Sequence, residues 1–186
     1  MKDERIRLFT RQAKPVLDAL DRDGVCRVKK EYVAAKYGES AWSFGIAYDF
    51  FIREMARRVP LDPGAESPFW LHGTAEGTGL FADTPLLILD VPKSACVFFD
   101  SRDWNRILNL DYLPKDPADG ARFERLLGEQ GLPHAVAAFQ TPHFPLVKQQ
   151  IVRSWSRLFD GPMPDPVYLQ AAVWQLEQDW IVEIRR

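Results

Sequence analysis

Leu86-Leu87-Ile88-Leu89-Asp90-Val91-Pro92-Lys93-Ser94-Ala95-Cys96-Val97-Phe98-Phe99-Asp100 is the stretch whose reading decides the fold. Its first four residues are apolar without alternation, the pattern of a central strand covered on both faces. A tight Pro92-Lys93-Ser94 connection leads to a second strand ending at Phe99. Asp100 then reads as a helix N-cap with Asp103 in the first turn, where a carboxylate meets the positive end of the helix dipole. Trp104, Ile107 and Leu108 give that helix its core side. Strands and helices in such close succession point to α+β architecture.

Upstream, Ile6 to Phe9 reads as a short strand ending at Thr10, whose hydroxyl is suited to cap the next helix. Ala13, Val16, Leu17 and Leu20 mark that helix, Gly24 stops it, and Val25 to Val28 is strand-like. After a short helical stretch at Glu31 to Lys36, Ser40 opens the longest helix, with Ala47, Phe51, Met55 and Val59 at four-residue steps and Ile46 and Phe50 beside them. Pro60 and Pro63 close it, and Phe69-Trp70-Leu71 follows as a strand. Gly73 to Thr84 holds three glycines and no apolar period, so it reads as a loop and a candidate lid.

Downstream, a helix over Arg122 to Gln130 ends at Gly131, and a Pro-rich crossing reaches another over Leu146 to Phe159. Val147, Ile151, Trp155, Leu158 and Phe159 form its apolar side. Beyond Asp160 to Pro166, Val167 to Leu176 and Trp180 to Ile184 read as a pair of strands joined by Glu177-Gln178-Asp179, with a helix as the rival for the first. The expectation is one domain over residues 1–186, a mixed, mainly antiparallel sheet of about six or seven short strands flanked by helices.

Composition supports a packed core without staples. With 46% hydrophobic and 27% charged residues the profile is not that of a disordered chain. A formal charge of -2 without a basic cluster leaves nucleic-acid binding unsupported. The dense run Arg53 to Arg58 reads as a solvated helix face before it reads as a phosphate site. Cys26 and Cys96 sit in apolar runs as small hydrophobes, which suits a reducing cytoplasm, and no segment has the length and apolarity of a membrane span or signal peptide.

No phosphate-cradling Gly-rich motif, HExxH, GxSxG or His/Cys metal spacing occurs, so no metal site is expected. His72 ends a strand at the mouth of the Gly-rich loop, where a neutral imidazole has the placement of a base or a substrate-orienting group; a hydrogen-bonded strand-end histidine is the plainer reading. Of six tryptophans, Trp104 and Trp155 lie on core stripes, while Trp70 and Trp174 have polar neighbours and are candidates to wall a cleft. Thr10, Gln12, Asn109 and Gln170 are polar residues in apolar surroundings, whose roles are either backbone hydrogen bonding or ligand contact.

The segments LFTRQ, LLILDVPKSACVFFDSRDWNRILN, VRSWSRLFD, LQAAVWQL and DWIVEI, in this order, resemble a bacterial family, domain of unknown function 3841. The resemblance covers nearly the whole chain and implies no activity. It points to Thr10, Gln12, Tyr48, Trp70, the Val91-Pro92 turn, Asp100, Trp104, Asn109, Trp155, Gln170 and Trp174. Gln175 stands where an acidic residue is expected.

Two functions follow as expectations. One is a small-ligand or nucleotide-binding domain with an aromatic-lined cleft between Trp70 and Trp174, open to a small molecule or a peptide. The other, by fold analogy, is an NAD-using enzyme like the ADP-ribosyltransferases, with Thr10 or Gln12 on the ribose, Tyr48 or Trp70 on the ring, and Glu177 as the carboxylate; His72 and Glu177 are thus the two candidate catalytic groups of the chain.

Overall fold

The apolar run that opens the sequence argument becomes β4 (Leu86–Pro92), and it pairs with β1 (Arg5–Arg11) over the whole strand, Arg5 opposite Pro92 and Arg11 opposite Leu86. Leu86, Leu87, Ile88 and Leu89 are all buried, so both faces of β4 are covered as the unbroken run requires. The computed structural model describes residues 3–29, 41–79 and 84–185.

Outside β4 runs β8 (Ile181–Arg185), with a register shift between Ile88 and Leu89. On its other side β1 meets β3 (Phe69–His72), followed by β6 (Leu169–Val173) and, at the edge, β5 (Val97–Asp100). Every pairing in the sheet is antiparallel. A second, two-stranded sheet joins β2 (Val25–Arg27) to β7 (Gln175–Glu177).

β4 and β5 are consecutive in sequence but stand four strand positions apart, roughly 19 Å across a flat sheet. The five Cα steps from Pro92 to Val97 span at most ~17 Å when fully extended. The sheet is therefore curled, and β1 and β3, which share one registered pair at Phe9 and His72, form its short joint.

Each face carries its own core. On one side α1 (Lys14–Asp23) contributes Val16, Leu17 and Leu20, which pack with Leu8, Leu71, Leu87, Leu89, Ala171 and Trp180. On the other side α2 (Ala41–Arg58), α3 (Ser101–Leu108), α4 (Pro117–Glu129), α5 (Ala135–Phe139) and α6 (Pro145–Ser154) form a helical layer. Phe51, Met55, Trp104, Ile107, Ile151 and Trp155 fill it against Val97, Phe99 and Ala172. Gly24 ends α1 at φ 71, a left-handed position that spares the Cβ penalty.

Several expectations are corrected. Thr10 does not cap α1: it stays in β1, and Ala13 occupies the cap with no side-chain bond. Pro15 in the first turn removes one of the donors a cap would have satisfied. The helix expected from Arg122 begins at Pro117, because Asp116 caps it by accepting from the Asp119 N–H. The Pro-rich crossing contains α5, and the next helix tightens to 3-10 geometry over Trp155–Phe159.

The two C-terminal segments do not pair with each other. β6 lies between β3 and β5, β7 joins β2, and β8 joins β4. Trp174 makes the break, its indole buried in the helical core and donating to the Val59 carbonyl at 3.0 Å. Glu31 to Lys36, Ser40 and residues 80–83 of the expected lid lie outside the described residues.

Asp100 caps α3 as expected, accepting from the Arg102 N–H at 2.8 Å. Cys96 is buried, and burial pushes its thiol up to about 12; Cys26 is half-buried, and both are free. In the Arg53 to Arg58 run, Glu54 pairs with Arg57 and Arg58 along the outer face of α2. Among the described residues no helix is long and apolar enough to cross a membrane.

Candidate functional site

Strand alternation sorts the candidate residues between the two faces of the sheet. Trp70 and His72 share one face of β3, Gln170 and Ala172 the matching face of β6, and Phe99 completes the row on β5. This is the helix-side face, since Trp70, Ala172 and Phe99 pack in its core. Thr10 alternates with Leu8 and belongs to the opposite face. There it is 3% exposed, donates to the Trp70 carbonyl at 3.1 Å, and accepts from Gln12 Nε2 at 2.9 Å.

The polar centre on the helix side is His72 with Gln170, cross-strand partners whose Nδ1 and Nε2 are 3.4 Å apart. Burial lowers the pKa of His72, and no charged neighbour contributes to the shift. With Gln170 Nε2 toward Nδ1, a neutral ring in the Nε2–H tautomer accepts there and has a donor left to offer. Gln170 Oε1 is buried and has no hydrogen-bond partner among the described residues.

The adjoining 3-10 turn Glu76–Thr78 lies against His72, and a Cβ at Gly77 would stand 3.3 Å from His72 Cβ and 3.4 Å from Nδ1. Gly73 is tighter, its added Cβ 2.3 Å from the Pro166 carbonyl oxygen, so only glycine lets the end of β3 pass that close to the approach to β6. Arg11 alternates onto the face of Phe9, the cross-strand partner of His72. Its Nη1 donates to the Thr84 carbonyl at 2.8 Å, while its Nε is buried without a partner among the described residues.

Tyr48 stands edge-on to Trp70 at 5.5 Å between ring centroids, and Trp70 stacks on Trp104 at 5.3 Å. Tyr48, Trp70, His72 and Gln170 thus share one region, while Thr10 and Gln12 lie behind the sheet. Asn109 is remote from both, exposed at the end of α3 and donating to the Asn105 carbonyl.

The expected cleft between Trp70 and Trp174 is corrected at Trp174, which is 3% exposed in the helical core, while half-buried Trp70 packs against Tyr48, Phe51, Phe99 and Trp104. Glu177 accepts from Gln175 Nε2 at 2.8 Å within the β2–β7 sheet. Arg11 was not among the sequence candidates. The sign of it was available, since alternation along β1 sets Arg5, Arg7 and Arg11 on one side and Ile6 and Leu8 on the other.

Three further buried oxygens lack partners, Ser67 Oγ and the Oε1 atoms of Gln175 and Gln178. They belong with the β2–β7 sheet and the Val28–Ser67 bridge next to it. No group of His, Cys, Asp and Glu among the described residues has the makings of a metal site.

Neither the curated proteins nor the solved structures contain a match to this chain. A family model does match, over residues 7–182, which takes in both cores, the His72–Gln170 pair and every strand but the first two residues of β1 and the last three of β8. The chain belongs to the family described as domain of unknown function 3841.

Proposed function

We propose that the protein is a binding module for a small polar molecule held on the helix-side face at His72 and Gln170. The observation that carries this reading is the buried Gln170 Oε1 left without a partner beside a neutral imidazole. Leaving a buried acceptor unmade costs about 1–3 kcal/mol, so a native site that does so has a use for the vacancy. An acceptor at Gln170 and a donor at His72 Nε2 suit a group that offers both in return, such as a carboxamide or the edge of a nucleobase. Arg11 Nε adds a second donor on the same face.

The NAD-using transferase remains the weaker reading. It needs a carboxylate near the reacting ribose, whereas no charged group perturbs His72 and Glu177 is engaged by Gln175. Calorimetry with nicotinamide, adenine, ADP-ribose and NAD separates the readings. Saturable heat with wild type that disappears in Gln170→Leu supports the binding module. Release of nicotinamide from NAD would favour the transferase, and absence of heat with all four compounds at millimolar concentration would remove the proposal.

A further inference from the structure

A cleft of about 700 Å³, the size of a small-molecule pocket, runs beside the edge strand β5 and has Phe159, Pro162 and Met163 on its wall. Its lining carries four cations, Arg58, Lys93, Arg102 and Arg157, against two carboxylates, Asp100 and Asp103. Both carboxylates are already answered: Asp100 pairs with Arg102 at 2.6 Å, and Arg106 and Arg102 act on Asp103. Lys93 reaches Glu4 at 2.7 Å.

Arg58 and Arg157 are served less well, because each shares its carboxylate with a second arginine. Glu54 pairs with Arg57 as well as Arg58. Asp119 takes Arg122 at 3.0 Å, the Tyr112 hydroxyl and the Lys115 N–H, while Arg157 stands 3.6 Å away. One carboxylate thus answers two guanidinium charges in each case, and a positive charge is left over at both places.

The donors of these two arginines are also in surplus. Their hydrogen bonds run through Nη1 alone, to Glu54 and to the Leu113 carbonyl, and Nε and Nη2 of each have no partner among the described residues. The side chains are 33% and 32% exposed, so these donors are open to a ligand. The Arg58 guanidinium is held over the Phe159 ring, 4.2 Å from its centroid, which orients the fork. Such a fork matches the paired oxygens of a carboxylate or phosphate, and apolar walls that exclude water strengthen the attraction.

We propose that this cleft binds a small molecule with an oxyanion head, received by Arg58 and Arg157, and an apolar body laid against Phe98, Phe159 and Met163. The site is separate from the His72–Gln170 face and does not depend on what binds there.

The test titrates the full chain, isotope-labelled, with phenyl phosphate, benzoate, inorganic phosphate and uncharged benzyl alcohol. Phenyl phosphate or benzoate should shift the Phe98 and Met163 amides saturably, and the tighter of the two identifies the head group. Arg58→Gln should weaken that binding by about tenfold or more. Arg57 remains to pair with Glu54 in this variant, so Tm should hold. Arg157→Lys, which keeps the charge beside Asp119 but removes the fork, should weaken binding as well, and Gln170→Leu should leave it unchanged. The proposal is overturned if neither phenyl phosphate nor benzoate binds at millimolar concentration, or if benzyl alcohol or inorganic phosphate binds as tightly as they do. Unchanged binding in Arg58→Gln, or loss of binding in Gln170→Leu, overturns it too.

Discussion

Two polar clusters are buried beside the helical layer's core, and they are finished to different degrees. Around Asp119, the Lys115 N–H, the Tyr112 hydroxyl and the Arg122 guanidinium each donate at 3.0 Å, with Arg157 at 3.6 Å. Nearby Ser154 accepts from the Leu113 N–H at 2.9 Å and donates to the Ile151 carbonyl at 2.6 Å. Trp155 Nε1 donates to the Asp111 carbonyl, and Arg157 bonds the Leu113 carbonyl. These bonds fix the segment 111–115 onto α4 and α6. At the sheet centre, His72 and Gln170 share one long contact, and Gln170 Oε1 and Arg11 Nε have none. A polar cluster complete in itself holds the fold together, whereas one that keeps a donor and an acceptor in reserve is equipped for something outside it.

The sharpest way to break this contrast is to remove Asp119. Asp119→Ala should give the largest fall in Tm of the changes considered, because it strands the Tyr112 hydroxyl, the Lys115 N–H and two guanidinium partners at once. The Lys115 N–H foremost, then Tyr112, Arg157 and Arg122, hold the Asp119 carboxyl below its ordinary range against the opposing effect of burial. A lowered folded pKa means a contribution fully present above ~3.9, the unfolded value, and lost as pH falls through the folded one. Asp119→Asn should accordingly flatten the acid limb of a stability-versus-pH curve; an unchanged limb would show that the cluster is not structural.

Ser154→Ala comes next. It removes the acceptor of the buried Leu113 N–H and should cost about 1–3 kcal/mol in denaturant unfolding, with the m-value unchanged.

The two clusters were unequally legible in the sequence, and the reason is the distance along the chain between partners. Capping and periodicity are local, so Asp100, Gly24 and the stripe Ala47, Phe51, Met55 could be read from neighbouring residues. Trp174 could not, because its position is settled by Val59, far back in the sequence. Thr10 was rightly marked as a buried polar residue, but its partner is the Trp70 carbonyl, and no nearby residue announces that. His72 and Gln170 were each singled out on separate grounds; their pairing depends on β6 choosing β3 as its neighbour. The Asp119 cluster was missed altogether, since its members look like ordinary surface charges until the 111–115 segment folds over them.

Gln170→Leu tests the other side of the contrast with a smaller expected effect. It gives up a contact of 3.4 Å to His72 and also removes an unpartnered buried oxygen. The two changes oppose each other, so stability should stay within about 1 kcal/mol of wild type, on either side. A loss of 3 kcal/mol or more would mean that Gln170 is part of the scaffold in the way Ser154 is, and the difference between the clusters would collapse.

The finest measurement is the titration of His72 by NMR. Burial alone disfavours its imidazolium, so its folded pKa should lie below the ~6.5 of a free histidine. The sign of the linkage follows: as pH drops below the unfolded value the unfolded chain takes up the proton first, and stability declines until the folded pKa is passed. Any ligand held through a neutral ring should dissociate over the same range, because protonation replaces the acceptor at Nδ1 with a second donor facing Gln170 Nε2. Removing the Gln170 side chain takes away that donor–donor clash without adding charge. The His72 pKa in Gln170→Leu should therefore move by less than one unit, leaving burial as the cause; a return to the free value would instead make Gln170 the group that keeps the ring neutral.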